Sequence, residues 1–108
     1  MLEPLLGSRS CERALVFLLA RGEGYARAIA RFYNADLYAV QKQLQKLEAG
    51  GVLVSRNAGR TRLFQFNPRY PFRKELTALL EKALSFYPKD ECERILMTRK
   101  RPRRLGKP

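Results

Sequence analysis

The sequence predicts a mainly helical domain with one small β-hairpin, an α+β fold that occupies residues 1 to 98 as a single domain. Apolar residues recur at helical spacing in several separate stretches, and this periodicity indicates amphipathic helices. Between two of those stretches, two short runs alternate apolar and polar residues around a segment that contains Gly and Arg, which is typical of a hairpin. A chain of 108 residues is long enough for one such domain and a modest core.

The charge of the chain favours a polyanionic partner. The 22 basic and 10 acidic residues give a net charge of +12, and six of the basic residues lie in the segment 99 to 108, which contains no acid. The remaining 16 basic and 10 acidic residues still give +6. Counterion release makes such a surface attractive to nucleic acid. No predicted helix joins a basic face to exposed Trp or Phe anchors, so nucleic acid is preferred to a membrane surface.

Compartment and redox state are indicated by what the sequence lacks. No apolar run approaches the roughly 20 residues that span a bilayer, and the N-terminus lacks the order of a secretory signal. Cys11 and Cys92 are too few to form a disulfide framework. A cytoplasmic location is therefore predicted. Buried apolar packing is preferred to a redox switch for these cysteines, since the sequence gives no sign of an activated thiol.

The first predicted helix runs from a cap at Ser8 or Ser10 to about Ala20. Its apolar face is broad enough to be covered on two sides, and a dimer would supply such cover. The preceding residues 1 to 7 are expected to form a short arm. The helix is expected to end at the sequence Arg-Gly-Glu-Gly that follows Ala20.

Two further helices follow, joined by a short turn. The segment from 25 to 33 predicts a short helix with Arg27 and Arg31 pointing outward, where they either reach phosphates or pair with a neighbouring carboxylate, Glu23 or Asp36. Asp36 is a good cap for the next helix, 36 to 49. Two helices joined by so short a turn are typical of a helix-turn-helix.

The helix over residues 36 to 49 is strongly two-sided. One face is apolar and is formed by Leu37, Val40, Leu44 and Leu47. The opposite face is polar, free of carboxylates, and carries Tyr38, Gln41, Lys42, Gln45 and Lys46. Gln and Lys can contact base edges and phosphates, although the same residue types also suit a solvated helix face. Tyr38 either contacts a sugar or thymine methyl or only packs. Gly50-Gly51 predicts the left-handed residue that ends the helix.

A basic hairpin follows this helix. Val52 to Ser55 and Leu63 to Asn67 alternate as two strands, and the segment from 56 to 60 is the predicted turn. The predicted contacts to phosphate are Arg56, Arg60 and Arg62. Charge that protects an edge strand is the alternative explanation for them. A helix that presents amides and lysines, followed by such a hairpin, predicts a winged helix-turn-helix over residues 8 to 67, with residues 56 to 62 as the wing.

C-terminal helices complete the predicted domain over residues 71 to 98. A long helix is expected from 71 to 86, with Pro71 in its first turn. Its apolar stripe predicts a dimer interface formed by Leu76, Leu79, Leu80 and Ala83. A last short helix, capped by Asp90, is expected from Glu91 to Met97. The basic segment 99 to 108 is predicted to be a disordered tail.

In this order of elements the chain resembles the winged-helix transcriptional regulators of the ArsR-like group. It is similar to small bacterial and archaeal winged-helix domains found alone or ahead of nucleotidyltransferase domains. The matching segments are LLGSRSCERALVFLL, AIARFYNADLYAVQKQLQKLEAGGVLVSR and GRTRLFQFNPRYPF. The metal-sensing members carry paired cysteines or His and Asp sites, whereas this chain has no His and two isolated Cys, so no metal site and no cofactor are predicted. A nucleotidyltransferase domain is not expected to follow.

The resemblance implies a homodimer that binds double-stranded DNA as a sequence-specific transcription regulator. The helix 36 to 49 would enter the major groove, and the wing would lie on the phosphate backbone. The residues predicted to contact bases or the groove are Tyr38, Gln41, Lys42 and Gln45. Those predicted to contact phosphates are Arg27, Arg31, Lys46, Arg56, Arg60 and Arg62.

Other functions remain open from the residues alone. One is an interaction module that docks to a protein partner such as a separately encoded nucleotidyltransferase, and another is RNA binding through the basic tail. Stacking on single-stranded bases is a further use for the aromatic residues Phe64, Phe66, Tyr70, Phe72, Phe86 and Tyr87, but core and dimer packing are preferred. An enzyme is not predicted, because there is no histidine, no glycine-rich phosphate loop and no nucleophile with a local base.

Overall fold

The structure, a computed structural model, describes residues 1 to 96. In chain order these form α1 (Glu3–Leu6), α2 (Arg9–Arg21), α3 (Ala26–Tyr33), α4 (Leu37–Ala49), β1 (Leu53–Ala58), β2 (Thr61–Phe66) and α5 (Arg73–Leu84). Residues 89 to 96 are also helical. The predicted α+β fold, helices with one hairpin, is confirmed. The predicted tail, 99 to 108, and Met97 at the end of the predicted last helix lie outside the described residues.

The centre of the fold is α2, which packs against α1, α3, α4, α5 and β2. Its run from Ala14 to Leu18 is at most 2% exposed at every residue. The predicted cover on two sides of this helix is present, but it comes from the same chain. Leu80 of α5 and Ile95 of the last helical segment join the α2 core and are 0% and 2% exposed. A second copy is therefore not needed to bury this helix.

Glu12 is the one buried charged side chain among the described residues, with 4% exposure. A buried carboxylate needs hydrogen-bond donors to offset its lost hydration. The Tyr87 hydroxyl donates to one of its oxygens at 2.8 Å. The other oxygen accepts from the Leu2 N–H at 2.9 Å and lies 3.4 Å from the Met1 amino nitrogen. Glu12 thus holds α1 and the segment after α5 against α2.

Side-chain caps begin the two longest helices where the sequence predicts them. Ser8 precedes α2, and its hydroxyl oxygen accepts from the Cys11 N–H at 3.0 Å. Asp36 precedes α4, and its carboxylate accepts from the Ala39 N–H at 3.2 Å. Each cap satisfies a backbone donor that the first turn of a helix leaves unpaired.

The end of α4 is set by the predicted left-handed glycine, which is Gly51 with φ 82°. Its N–H donates to the Glu48 carbonyl at 3.0 Å, and the Val52 N–H donates back to the Leu47 carbonyl at 2.9 Å. This pair of bonds is the Schellman arrangement, which satisfies the last free carbonyls of a helix. The chain therefore leaves α4 in a fixed direction and enters β1 two residues later.

The hairpin is tighter than the sequence predicts. β1 and β2 pair antiparallel around a loop of only two residues, 59 and 60. Gly59 has φ 68°, the conformation that such loops require at their first position. The predicted turn from 56 to 60 is wrong in length, because Arg56 lies inside the ladder opposite Leu63. The two strands extend through this polar segment, where the sequence lacks the apolar alternation that predicts a strand.

The inner face of the hairpin is tied to the helices by a backbone bridge. Phe64 is 4% exposed, and its backbone exchanges two hydrogen bonds with Gly24, at 2.8 and 3.1 Å. Gly24 lies between α2 and α3 and acts as a one-residue third strand. A Cβ at Gly24 would lie 2.9 Å from a ring carbon of Phe17, so this position needs glycine for close packing. This bridge was not predicted from the sequence.

Smaller differences concern the ends of the chain. The predicted arm, residues 1 to 7, contains the short helix α1. α5 begins at Arg73, so Pro71 precedes the helix instead of occupying its first turn. Asp90 does not cap the last helical segment, which already begins at residue 89. Within residues 1 to 96, no helix is long and apolar enough to span a bilayer.

Candidate nucleic-acid interface

The outward face of α4 presents the polar residues predicted for DNA contact. Val40 and Leu44 turn into the core, with 1% and 0% exposure. The opposite side is open to solvent at Tyr38, Gln41, Lys42, Gln45 and Lys46. Tyr38 is 67% exposed, so the alternative that it only packs in the core is wrong. The face is available to a ligand along about two and a half turns of helix.

A groove of about 270 Å³ lies between the start of α3, the exposed face of α4 and the wing. It brings together five predicted contact residues: Arg27, Gln41, Gln45, Arg60 and Arg62. Tyr25 and Thr61 also line it, and the sequence analysis did not single them out. Thr61 lies between Arg60 and Arg62, and Tyr25 lies two residues before Arg27. Only the fold shows that both line the groove. The other predicted contact residues do not line this groove: Arg31, Tyr38, Lys42, Lys46 and Arg56.

Two of the three wing arginines are already paired with carboxylates. A terminal nitrogen of Arg56 lies 3.0 Å from the Glu23 carboxylate. Arg62 lies 3.8 Å from the Glu48 carboxylate. Arg60, at the exposed tip, has no carboxylate within 4.0 Å among residues 1 to 96. The wing therefore offers one unpaired guanidinium and two that would have to exchange partners to bind an anion.

Of the two alternatives for the α3 arginines, phosphate contact or pairing with Glu23 or Asp36, the pairing is wrong. Glu23 pairs with Arg56 across the wing, and the Asp36 carboxylate is used to cap α4. Within the described part of the chain, Arg27 and Arg31 form no ion pair, and both are exposed. Both charges are therefore open to solvent, that of Arg27 at the groove and that of Arg31 elsewhere on α3.

Two of the four residues predicted for a dimer interface on α5 are not exposed. Leu80 and Ala83 are 0% and 4% exposed because they pack inside their own chain, so they present no apolar stripe to a second copy. Leu76 and Leu79 are half-buried and remain predicted interface residues. Large apolar side chains are exposed elsewhere, at Leu5 and Phe86, with 67% and 65% exposure.

The aromatic residues do not form one shared surface. Phe64 is buried in the core, and the Tyr87 hydroxyl is bonded to Glu12. Phe72 is 62% exposed and meets Tyr70 edge to face, with 5.8 Å between ring centroids. The aromatic set is thus divided between core and surface. The position of Phe64 agrees with the preferred prediction, which is packing in the core.

The environment of Cys11 does not activate its thiol. Burial raises the pKa of the Cys11 thiol, more than the nearby charge of Lys46 lowers it. A raised pKa keeps the thiol protonated and less reactive. Cys92 is free and half-buried. Among residues 1 to 96, no group of three or more His, Cys, Asp and Glu side chains is placed to hold a metal ion.

Solved structures resemble this fold over most of the chain. The chain is 27% identical to the homodimeric winged helix-turn-helix DNA-binding domain of a possible ArsR-family transcriptional regulator from Mycobacterium bovis, with 68% of each chain covered and a TM-score of 0.52. It is 24% identical to the apo form of a ZitR double mutant from Lactococcus lactis, over 92% of this chain and 83% of that chain, with a TM-score of 0.55. It is 16% identical to the adhesin competence repressor of Streptococcus pyogenes, over 93% and 80% of the two chains, with a TM-score of 0.50.

No protein-family model and no curated protein sequence matches the chain. The structural comparisons nevertheless confirm the predicted fold, since the chain has the winged helix-turn-helix architecture of DNA-binding transcription regulators. The M. bovis domain is a DNA-binding domain, and the S. pyogenes protein is a repressor. In this architecture, α3 and α4 are the helix-turn-helix, and the hairpin is the wing.

Proposed function

We propose that this chain regulates transcription by binding specific sequences in double-stranded DNA as a homodimer. In this proposal α4 enters the major groove, and the wing, residues 56 to 62, contacts the phosphate backbone. One observation carries it: the carboxylate-free face of α4 and two arginines of the wing, Arg60 and Arg62, meet at one open groove. An anionic duplex would find charge and hydrogen-bond donors there on both walls.

Base reading is assigned to the α4 side chains. Gln41 and Gln45 line the groove, and the amide of Gln can donate to and accept from the edge of adenine. Lys42 and Tyr38 are exposed on the same helix and extend the reading surface. These four residues would supply discrimination between sequences, because base edges and not phosphates carry the sequence information.

Phosphate binding is assigned to the basic residues that surround this face. Their charges are exposed on α3, on α4 and on the hairpin, at Arg27, Arg31, Lys46, Arg56, Arg60 and Arg62. Arg60 needs no exchange of partner and would contribute most directly. The group would provide affinity for any duplex and strong dependence on salt.

The dimer is supported by the M. bovis domain, which is homodimeric. A two-fold pair would place two copies of α4 in successive major grooves about 34 Å apart. Leu76 and Leu79 of α5 are the proposed contacts between copies. Leu80 and Ala83 would support that surface from inside each chain.

The test is a titration of labelled duplex DNA followed by fluorescence anisotropy at several salt concentrations. The full chain would be compared with a variant that ends at Thr98 and lacks the basic tail. The duplex affinity of both forms should depend steeply on salt, with a slope of log K against log salt near −0.9 per phosphate contact. Selection from a random duplex pool should then yield a sequence with two-fold symmetry.

Loss of all duplex binding with the tail would overturn the proposal. In that case the affinity would come from sequence-independent attraction to the tail, and single-stranded RNA would have to be compared with duplex DNA. Failure of both forms to bind any nucleic acid would point instead to a protein partner.

A further inference from the structure

Glu48 stands out by its position in the sequence. It is the only acidic residue between Asp36 and Glu75, a stretch that contains the whole of α4 and the wing. It also lies in the last turn of α4, where the negative end of the helix dipole disfavours a carboxylate. Glu is a good helix former, but the helix dipole does not favour an anion at this position.

The Glu48 carboxylate belongs to a network that joins α4 to both strands of the wing. It accepts from the Ser55 hydroxyl at 2.6 Å. The same Ser55 oxygen accepts from the Nε–H of Arg62 at 2.8 Å. A terminal nitrogen of Arg62 lies 3.8 Å from Glu48, which closes the triangle. One carboxylate thus neutralises and orients one wing arginine.

This network remains open to solvent. The Arg62 side chain is 61% exposed and that of Glu48 is 32% exposed. Arg62 also lines the groove between α4 and the wing, so an anion in the groove could reach it. A phosphate and a carboxylate offer the same kind of acceptor to a guanidinium, so the two would compete.

We propose that Glu48 is a positioning residue for Arg62 that sets the affinity of the wing for phosphate. In the free chain, Glu48 holds Arg62 at the wall of the groove. When a phosphate binds, Arg62 exchanges carboxylate for phosphate, and Glu48 keeps the Ser55 hydroxyl. The exchange lowers the net gain from the Arg62 contact relative to Arg60, which has no carboxylate within 4.0 Å among residues 1 to 96. This inference rests on the proposed DNA binding.

Neutralising Glu48 tests the exchange. Glu48→Gln keeps the size of the side chain and removes its charge, so Arg62 should bind phosphate without competition. Exposed ion pairs contribute up to about 1 kcal/mol, so binding to a random duplex should tighten about threefold to fivefold at low salt. The slope of log K against log salt should also steepen, by at most about 0.9 per copy of the chain, because the charge of Glu48 no longer offsets that of Arg62 at the phosphate.

Glu81→Gln is the matched control. Glu81 is an exposed carboxylate on α5, which packs against α2, and the substitution changes the net charge by the same amount. Any difference in duplex affinity between Glu48→Gln and Glu81→Gln should therefore come from the contact between Glu48 and Arg62. In an Arg62→Ala background, Glu48→Gln should lose its advantage over Glu81→Gln, because the competing arginine is gone. Ser55→Ala, which breaks the bridge but leaves both charges, should give a smaller gain than Glu48→Gln.

The outcomes separate this inference from the proposed function. Tight duplex binding by the parent chain with equal effects of Glu48→Gln and Glu81→Gln would overturn the role of Glu48 and leave DNA binding intact. The same holds if the gain from Glu48→Gln persists without Arg62. No duplex binding by the parent chain would overturn both.

Discussion

The hydroxyl of Tyr87 donates a 2.8 Å hydrogen bond to the buried carboxylate of Glu12, although the two residues are 75 positions apart in the chain. A second tyrosine, Tyr33, shares the hollow beside Glu12, and its buried hydroxyl has no hydrogen-bond partner within residues 1 to 96. The two phenols therefore differ in what their hydroxyl groups contribute to stability. This difference can be measured with one pair of substitutions.

Tyr87→Phe should lower the free energy of unfolding by about 1 to 3 kcal/mol, because a buried carboxylate loses a donor. Tyr33→Phe should leave stability unchanged or raise it by up to about 1 kcal/mol, since an unpaired buried hydroxyl is removed. Both keep the aromatic ring. Urea unfolding of the two variants beside the parent chain measures the difference, and equal losses would contradict the assigned contacts.

Stability should fall at alkaline pH. Burial, and next the hydrogen bond to Glu12, raise the pKa of Tyr87 above its ordinary value. Burial, and next the charge of Glu91, raise the pKa of Tyr33. The folded chain therefore keeps both protons where the unfolded chain releases them. Their contribution is complete below the unfolded pKa of about 10 and is lost as the pH rises above it.

The measurement is the free energy of unfolding from pH 8 to 11. The double variant Tyr33→Phe, Tyr87→Phe should show a shallower decline than the parent chain. Tyr38→Phe is the control, because Tyr38 is 67% exposed. A decline of equal slope in all three would assign the alkaline instability to other groups such as the lysines.

Gly24→Ala should destabilise the fold. The new Cβ would lie 2.9 Å from Phe17 Cε1 and 3.3 Å from Leu18 Cδ2, and both side chains are nearly fully buried. Overpacking of this kind costs about 1 to 3 kcal/mol. Gly50→Ala is a matched control, because Gly50 has φ −85° and a Cβ there would be at ordinary contact distance, 3.5 Å from the Lys46 carbonyl. Thermal unfolding of both variants should show a loss only for Gly24.

Arg60→Ala should weaken binding to every duplex by a similar factor. Arg60 is exposed at the tip of the wing and has no carboxylate within 4.0 Å in the described chain, so its loss removes one phosphate contact. Each copy of the proposed homodimer loses this contact, so the salt slope should become shallower by about 0.9 per copy. Lys82→Ala on α5 removes the same charge from a different element and controls for net charge. An unchanged slope for Arg60→Ala would remove the tip of the wing from the interface.

Gln41→Ala should act on specificity. Gln41 lines the groove from α4 and carries no charge, so affinity for random duplexes should change little. Affinity for the selected operator should fall by about 1 to 3 kcal/mol if its amide contacts a base. The ratio of the two affinities, measured at one salt concentration, is the relevant quantity. A ratio equal to that of the parent chain would exclude base reading by this residue.

Local features of this fold could be predicted from the sequence. The caps at Ser8 and Asp36 and the left-handed Gly51 act on backbone groups within a few residues, so the signal lies in the neighbouring sequence. The exposed polar face of α4 was likewise predictable, because helical periodicity assigns each residue to one side. The predicted winged-helix arrangement follows from such local signals taken in order.

Contacts between distant segments could not be predicted in the same way. The burial of Leu80 depends on how α5 crosses α2, and no periodicity shows whether an apolar stripe meets its own chain or another. Pairing of Glu23 with Arg56 spans 33 residues and depends on where the hairpin folds back. For Glu48 a local signal does exist, because it is the only acidic residue in the long basic stretch between Asp36 and Glu75.

The backbone bridge between Gly24 and Phe64 limits how far the wing can move relative to α4 when a ligand binds. The hairpin is thus held at two places. The turn from α4 holds its base, and Gly24, the strand-like residue before α3, holds β2. The two walls of the groove are therefore set at a fixed separation before any ligand arrives. Binding would then order mainly side chains. A duplex whose groove width differs from this separation would have to deform to bind. The chain would therefore discriminate between duplexes by their shape as well as by their bases.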